Sequence, residues 1–418
     1  MSEKRNIVLI TLDSVRADHC SFMGYHRETT PTIDKMAKRG LYFVNAISSS
    51  VPTGPSMMGV FTGDYCPIAS DDFSGKRWRE EFRRKKTLAE VLSQRGYDTG
   101  AFHANPYVSS FFGFSKGFKY FNDFVREDEI RTLTTDSKIN AFFVSIRRLI
   151  KKEGANIPWE KYYDRILEWV EHVSRPYFLW VLLLDTHTPY LPPKECRKWC
   201  KVNNWQLIYL FWKIQRRNWK CGGKAEIEKI RDAYDDAIHY ADRFIQKLWQ
   251  DLEDDDPIFI IHADHGDGLG EHGFYRHPIL LYEELIHVPL VIYNADIKNK
   301  IDKPISLLGL APTILELIGE ENEFPSESFL HGGRDWVISK VFEGWKRKVA
   351  VRTKDWKFIT GQKDEDELYY LKEDPHEQEN VINEYPELAK EMRRIAEIHV
   401  KQEMERRRIH ERISRLKL

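Results

Sequence analysis

The sequence predicts an α/β protein: a doubly wound, mostly parallel β-sheet sandwiched by helices, with a smaller C-terminal antiparallel sheet and a final helix. Two observations lead to this prediction. Apolar runs that are continuous rather than alternating recur along the chain, and helical patterns separate them. Continuous apolar runs fit strands that helices cover on both faces, and strands that alternate with helices form doubly wound sheets.

Three apolar runs are typical of buried parallel strands, and a fourth follows soon after the third: residues 6–12, 177–184, 258–261 and 288–293. Helical patterns lie between them, over residues 31–39, 87–95, 162–173 and 225–252. In a sheet of this kind, ligands bind beyond the carboxyl ends of the strands. The residues that follow each run are therefore the first candidates for a functional site.

The pattern changes near residue 320. Short segments typical of an antiparallel sheet follow, at 348–352, 356–360 and 367–371. The stretch 386–418 is a strongly charged helix whose acidic and basic residues are interspersed, which favours a solvated helix over a basic docking helix. We therefore divide the chain into an α/β domain over residues 1–320 and a C-terminal subdomain over residues 321–418.

Two stretches of the first domain, about 125–175 and 194–224, have the character of insertions into the core. The second contains Trp205, Trp212 and Trp219, which are spaced by seven residues. Seven-residue spacing on a helix produces one aromatic stripe. We expect a helix that packs this stripe onto the core, and a substrate lid or glycan platform is the alternative.

Composition excludes several classes of protein. The chain has 64 Lys and Arg against 65 Asp and Glu, a net charge of −1, which argues against disorder and against a nucleic-acid-coating protein. Five cysteines are odd in number and too few for a disulfide framework, so we expect a reducing, cytoplasmic location. The first apolar run stops at Asp13 and fits a strand better than a signal peptide. No stretch approaches the roughly 20 apolar residues of a membrane span.

Acidic residues and histidines follow three of the predicted strands. Asp13 follows the first run, Asp185 and His187 follow the second, and Asp264 and His265 follow the third. A divalent metal needs several carboxylate or imidazole ligands that converge from different elements, and the ends of neighbouring strands supply that geometry. Each residue taken alone has an alternative role: Asp13 as the cap of the following helix, and His265 as a purely structural polar residue.

The set of motifs resembles the sulfatase family of the alkaline phosphatase superfamily. The matching segments cover nearly the whole chain apart from the two insertions: 6–18 (NIVLITLDSVRAD), 30–34, 40–46, 62–63, 185–193, 234–242, 263–273 (ADHGDGLGEHG), 281–284, 307–318 and 367–375. The resemblance implies an alkaline-phosphatase-like fold and a metal-dependent ester hydrolase of the sulfatase or phosphodiesterase type. It implies a small-molecule or glycan-linked anionic ester as substrate, and no nucleic acid is expected.

The resemblance places the nucleophile nine residues before a Thr-Gly pair, which selects Thr53 over the competing Ser50 register. Sulfatases convert a Cys or Ser at this position into formylglycine, and a threonine cannot yield that aldehyde. A threonine hydroxyl can still attack directly when a metal lowers its pKa, as in superfamily phosphatases and phosphoglycerol transferases. The motif arginine is also replaced, by Met57.

Further roles follow by matching position. Asp13, Asp264 and His265 are expected to bind the metal, with the Thr53 oxygen as a further ligand. Two histidines are expected to be catalytic: His187 as the general acid and His277 as a contact to the transferred group. Asn105, Arg276 and Arg16 are expected to bind the substrate, and Arg16 also to support the metal loop.

A histidine ligand favours manganese or zinc over calcium, although calcium is an alternative. Ser14 stands where many sulfatases have a second Asp ligand, which points the same way. Asp185 and His187 offer part of a second metal site as a further alternative.

The leading functional hypothesis is hydrolysis of phosphate mono- or diesters through Thr53. The alternatives are a sulfuric ester hydrolase with an unconventional nucleophile, a phospho-group transferase, and a non-catalytic sulfatase-like binding protein. Retention of the metal residues argues against the last of these.

Overall fold

The structure, a computed structural model, describes residues 4–69, 72–134, 157–343, 346–361 and 366–416. The strands in chain order are β1 (Ile7–Leu12), β2 (Leu41–Phe43), β3 (Ala46–Ile47), β4 (Asp98–His103), β5 (Tyr120–Asn122), β6 (Tyr177–Leu183), β7 (Ile258–Ala263), β8 (Gly268–Leu269), β9 (Tyr275–Arg276), β10 (His287–Val288), β11 (Leu290–Tyr293), β12 (Asn299–Ile301), β13 (Ile305–Ser306), β14 (Trp336–Glu343), β15 (Lys346–Thr353), β16 (Trp356–Gly361) and β17 (Glu367–Tyr370).

The α-helices are α1 (Pro31–Arg39), α2 (Thr53–Thr62), α3 (Gly75–Arg84), α4 (Leu88–Gln94), α5 (Glu127–Thr134), α6 (Glu160–His172), α7 (Asn204–Arg216), α8 (Lys224–Asp251), α9 (Glu283–Ile286), α10 (Leu310–Leu317) and α11 (Pro386–Leu416). Short 3₁₀ turns add Ala17–His19, Ser21–Met23, Pro106–Val108, Ser110–Phe112, Lys194–Cys196 and Leu307–Gly309. None of the described helices is both long and apolar enough to cross a bilayer.

An eight-stranded sheet forms the centre of the molecule, in the order β12-β2-β11-β7-β1-β6-β4-β5. Strand β1 pairs in parallel with both β6 and β7, and every residue of β1 is buried. The register places Leu12 opposite Leu183 on one side and Ala263 on the other. The three predicted parallel strands therefore end side by side, which brings the residues that follow them to one edge.

The fourth predicted strand is the antiparallel member of the mostly parallel sheet. Pro289 divides it into β10 and β11, and β11 pairs antiparallel with β7, with Leu290 opposite His262. Pro289 has no backbone N–H to donate to a ladder. The segment between β7 and β11 stays at the edge where β7 ends. Strand β11 therefore starts from that edge and runs antiparallel to β7.

Buried polar side chains fix the ends of helices against the sheet. Helix α1 begins with Pro31, and the carboxylate of Asp242 on α8 accepts hydrogen bonds from the backbone N–H groups of Thr32 and Ile33 at 2.9 and 3.0 Å. Thr87 and Glu90 form a reciprocal capping box at the start of α4. These caps satisfy N–H groups that a helix cannot bond internally.

The C-terminal part is the predicted antiparallel sheet, in the order β14-β15-β16-β17. Helix α11 packs on one side of it through residues such as Met392 against Phe358. Residues such as Val341 and Ile359 pack on α9 through Leu285 and Ile286. The sheet thus supports the segment behind the carboxyl edge of the central sheet. The domain boundary near residue 320 stays a prediction.

The two insertions have helical parts. Helix α6 lies in the first, and residues 135–156 of that insertion lie outside the described residues. Helix α7 lies in the second and packs on the core through Leu207, Phe211 and Ile214. The prediction that the three tryptophans pack onto the core as one stripe is wrong. Trp205 is 66% exposed because it lies opposite the core-facing residues, and Trp219 lies beyond the helix end.

A buried ionic cluster joins the C-terminal sheet to α9. The Nζ atom of Lys357, which is fully buried, lies 3.2 Å from Glu283 Oε1 and 2.9 Å from Glu377 Oε1. Arg352 also pairs with Glu283, at 3.2 Å. Burial and the neighbouring Glu283 raise the pKa of Glu377 to about 7, although Lys357 opposes the shift. The cluster therefore depends on the lysine charge.

Replacement of this lysine tests the cluster. Lys357→Met leaves two buried carboxylates facing each other, and we expect it to lower the free energy of unfolding by about 3–5 kcal/mol. The solvent-exposed Lys354→Met should change stability by less than about 0.5 kcal/mol. Urea unfolding of both variants measures the difference, and equal stabilities would contradict this description of the cluster.

A buried histidine predicts how stability depends on pH. The ring of His103 lies between Trp180 and Phe121, with centroids at 5.0 and 5.2 Å, and burial lowers its pKa to about 4. Between pH 6.5 and about 4 the unfolded chain binds a proton that the folded chain does not, so the unfolding free energy falls as pH falls through this window. The effect is about 1.4 kcal/mol per unit of pKa shift.

The variant His103→Phe keeps the ring packing and removes the titration. We expect a shallower loss of stability between about pH 7 and about pH 5 than in the parent protein, measured by denaturant unfolding at each pH. An unchanged slope would show that His103 titrates normally.

Candidate metal centre and active site

Three predicted metal ligands meet at the carboxyl edge of β1 and β7. The ligand atoms of Asp13, Asp264 and His265 all lie within 4.8 Å of one another, and all three residues are fully buried. Asp264 Oδ2 is buried and has no hydrogen-bond partner among the described residues. An unpartnered carboxylate oxygen beside two further donors indicates that the group is built for a cation.

Electrostatics in this group support the same conclusion. Burial and the neighbouring Asp264 raise the pKa of Asp13 to about 7, although His265 and hydrogen bonds oppose the shift. Burial lowers the pKa of His265, but Asp264 and Asp13 outweigh it and raise the pKa. Two buried carboxylates repel each other unless a positive charge lies between them. Asp13, Asp264 and His265 therefore fit a divalent cation, and the nitrogen donor is compatible with manganese or zinc.

Hydrogen bonds orient each ligand. Asp13 accepts from the Ser14 hydroxyl at 2.7 Å and from Asn105 Nδ2 at 2.6 Å. His265 Nδ1 lies 2.9 Å from the Gly266 carbonyl oxygen, which turns Nε2 towards Asp264 Oδ2 at 3.4 Å. Partners of this kind fix the orientation of metal-binding side chains. Asn105 therefore orients Asp13, and its contact with substrate stays a prediction.

Thr53, the predicted nucleophile, lies beside this group. It is the first residue of α2, it is buried, and its Oγ1 lies 3.1 Å from His265 Nε2. The hydroxyl of Ser56 donates to the Asp264 carbonyl oxygen at 2.7 Å, which ties the first turn of α2 to β7. The competing Ser50 donates instead to the Lys340 carbonyl oxygen at 2.7 Å. The geometry therefore favours Thr53 over Ser50.

Two predicted histidines lie beside the metal group. The ring centroids of His277 and His265 are 4.5 Å apart, and those of His277 and His187 are 5.3 Å apart. His277 Nδ1 lies 2.7 Å from Asp267 Oδ1, and Asp267 also accepts from the Tyr190 hydroxyl. Asp267 holds His277 in place, a role that the sequence did not reveal even though Asp267 lies only two residues after His265.

The protonation of these histidines constrains their role. Burial and then Arg276 lower the pKa of His187 to about 3, and burial, His265 and Arg276 hold the pKa of His277 well below its ordinary value. Both rings are therefore neutral near pH 7 in the substrate-free protein. An anionic ester would raise the pKa of a neighbouring imidazole, so His187 can serve as the predicted general acid only once such a substrate is bound.

Arg276 supplies a cation next to these histidines. It has a left-handed backbone conformation with φ of 67°, and its guanidinium lies over the Trp219 ring at 4.5 Å. Its Nε atom is buried without a hydrogen-bond partner among the described residues. A guanidinium held in this way is available for an anion. Sequence reasoning missed Trp219 as its partner, because no local pattern links residues 57 positions apart.

The other predicted residues have structural partners. Arg16 is buried and donates to Asp18 at 2.7 Å and to Glu271 at 2.8 Å, as well as to the Asp267 carbonyl oxygen at 3.3 Å. It therefore supports the loop that carries Asp267, and its contact with substrate stays a prediction. Met57 is buried in the core. Asp185 and His187 form no second metal-binding group within the described part of the chain.

Loss of one carboxylate tests the metal centre. We expect Asp264→Asn to reduce bound manganese or zinc from about one ion per chain to near zero, because it removes one of two anionic ligands. The rise in melting temperature on metal addition should disappear with it. The exposed Asp296→Asn serves as the matched control. Metal content by elemental analysis that is equal in both variants would contradict the assignment.

Solved structures share this fold over nearly the whole chain. A phosphonate monoester hydrolase of Agrobacterium radiobacter superimposes with a TM-score of 0.69 at 17% identity, with 96% of each chain covered. A protein in complex with its substrate D-glucosamine-2-N,6-O-disulfate superimposes with a TM-score of 0.72 at 19% identity, with 96% of this chain and 98% of that chain covered. At these identities the likeness establishes the alkaline-phosphatase-like fold.

Sequence comparison leads to the family. The chain is 26% identical to an arylsulfatase of Clostridium perfringens, over 94% of this chain and 93% of that protein. It is 23% identical to arylsulfatase K of Mus musculus, over 93% of this chain and 78% of that protein. The sulfatase family model matches residues 5–320. This chain therefore belongs to the sulfatase family, whose members are ester hydrolases.

Proposed function

We propose that this protein is a metal-dependent hydrolase of anionic esters in which the Thr53 hydroxyl is the nucleophile. The observation that carries the proposal is the position of Thr53 Oγ1, 3.1 Å from His265 Nε2 within the buried group of Asp13, Asp264 and His265. A hydroxyl at the first residue of a helix also lies at the positive end of the helix dipole, which favours its ionised form.

Asp13, Asp264 and His265 would hold the cation, with the Thr53 oxygen as a fourth donor. When bound, a divalent cation supplies the positive charge that makes a neighbouring hydroxyl more acidic and stabilises an anionic transition state. Arg276, with its guanidinium against Trp219, would contact the oxygens of the transferred group. His277, held by Asp267, would line the same space.

The proposed reaction has two steps. Thr53 Oγ1 gives up its proton to solvent and forms a bond to the central phosphorus or sulfur atom, while the bond from that atom to the leaving oxygen breaks. His187, protonated in the presence of the anionic ester, gives its proton to the leaving oxygen. Water then attacks the central atom, the bond to Thr53 Oγ1 breaks, and the hydroxyl regains a proton.

Two ester classes fit this scheme, and different observations favour each. The chemistry of position 53 favours a phosphate mono- or diester, because a phosphothreonine is released by attack of water on phosphorus. A sulfate ester of threonine lacks the hemiacetal through which formylglycine releases the sulfate group. The names of the sequence relatives favour a sulfuric ester, since both are arylsulfatases. We take phosphate esters as the first candidate on the chemistry of Thr53, and sulfate esters as the second on family membership.

The alcohol part of the substrate is proposed from the structural neighbours. One neighbour binds a disulfated glucosamine and another hydrolyses phosphonate monoesters. We therefore propose a small-molecule or glycan-linked anionic ester for this chain. Transfer of the phospho group to an acceptor other than water uses the same first step.

Turnover assays on nucleophile variants test the proposal. The parent protein, reconstituted in turn with manganese, zinc and calcium, would be assayed on an aryl phosphate monoester, an aryl phosphate diester and an aryl sulfate. We expect phosphoester turnover that falls by about a thousandfold or more in Thr53→Ala, since the nucleophile is lost. Thr53→Ser should retain activity, and the melting temperature of Thr53→Ala should stay nearly unchanged.

The control is Ser50→Ala, which alters the competing hydroxyl and should leave turnover within a few-fold of the parent. Turnover of Thr53→Ala within a few-fold of the parent would place the nucleophile elsewhere. Turnover of the aryl sulfate alone would select the second candidate. Metal binding without turnover of any of the three esters would favour a transferase or a binding protein.

A further inference from the structure

Helix α7 has two apolar faces on opposite sides, and within the described part of the chain only one of them packs on the core. Leu207, Phe211 and Ile214 form the buried face. Trp205, Tyr209 and Trp212, spaced by four and three residues, form the opposite face, which we call the aromatic face. Trp205 is 66% exposed and Tyr209 is 61% exposed. A helix that is apolar on both sides gains further stability from burial of its second side.

The aromatic face lies in a strongly basic segment. Residues 194–224 contain nine lysines and arginines and one acidic residue, Glu195, whereas the whole chain has a net charge of −1. Lys201, Lys213 and Arg216 are exposed, and in the described ranges no carboxylate lies within 4.0 Å of their charged groups. Arg216 instead lies over the Trp212 ring at 4.9 Å. The charge is therefore available to an anionic partner.

The segment is firmly attached beside the active site. The Trp219 carbonyl oxygen accepts a hydrogen bond from the Tyr275 N–H at 2.8 Å, and the Cys221 N–H donates to the Gly273 carbonyl oxygen at 3.0 Å. Phe211 on the buried face contacts the Tyr190 ring, with centroids 5.6 Å apart, and Tyr190 donates to Asp267. A partner bound to the aromatic face would therefore lie next to the loop that carries Arg276 and His277.

We propose that the aromatic face docks the protein onto an anionic bilayer surface. A bilayer interface accepts tryptophan and tyrosine rings at the level of the lipid headgroups and attracts flanking lysines and arginines through anionic lipids. Helix α7 supplies both the aromatic rings and the flanking cations. A soluble polyanion without apolar ring faces would pair with the cations alone, and a sulfated glycan is the alternative that the test below includes. This docking needs no membrane-spanning helix and does not depend on the reaction proposed for Thr53.

Vesicle co-sedimentation of the full chain tests this docking. Vesicles of phosphatidylcholine alone would be compared with vesicles that also contain phosphatidylglycerol. We expect binding to the anionic vesicles with a blue shift in tryptophan fluorescence, weakened by added salt. The double variant Trp205→Ser, Tyr209→Ser should reduce the partition coefficient by about tenfold or more, because two aromatic side chains no longer enter the interface. The charge variant Lys213→Glu, Arg216→Glu should reduce it as well.

The matched control is Trp336→Ser, Tyr385→Ser, which removes one tryptophan and one tyrosine that are 41% and 44% exposed elsewhere on the surface. It should bind vesicles as the parent does. Circular dichroism and melting temperature verify that each variant is folded. No binding to anionic vesicles, or an equal loss in the control, would overturn the proposal. So would binding of the aromatic face to soluble dextran sulfate but not to vesicles, which would indicate an anionic glycan as the partner.

Discussion

The structure of the site depends on the repulsion between two buried carboxylates. Parallel pairing of β7 with β1 places Ala263 opposite Leu12, so Asp264 and Asp13 follow at the same level and point into the same buried space. Both side chains are fully buried. A buried pair of this kind is stable only with a proton or a cation between its members. The pairing of β1 with β7 therefore creates a buried site that requires a proton or a cation.

Around this pair the protein fixes groups that can handle an ester. Hydroxyls of Ser48 and Ser56 bind the carbonyl oxygen of Asp264, so the start of α2, and with it Thr53, is held to the same strand end as the metal ligands. On the other side, Asp267 orients His277, and the insertion supplies Trp219 beneath Arg276. The insertion thereby supplies the aromatic ring against which the Arg276 guanidinium lies.

Features set by local pattern or by strand register could be predicted, and features set by distant contacts could not. The buried strands and the ligands Asp13, Asp264 and His265 follow from apolar runs and from where they end. The direction of β11 could not be predicted, because it depends on the path of the connection before Pro289. The outward direction of Trp205 was also hidden, since two apolar faces on one helix give no sign of which one is buried.

The central claim is that Asp13 and Asp264 share one divalent cation, and calorimetric titration with manganese tests it most directly. Because burial and Asp264 raise the pKa of Asp13 to about 7 without a cation, binding near pH 7 should release a fraction of a proton. Titrations in two buffers with different ionisation enthalpies measure that proton. We expect one ion per chain with proton release, and loss of both in Asp13→Asn. Binding without proton release, or binding that is unchanged in that variant, would contradict it.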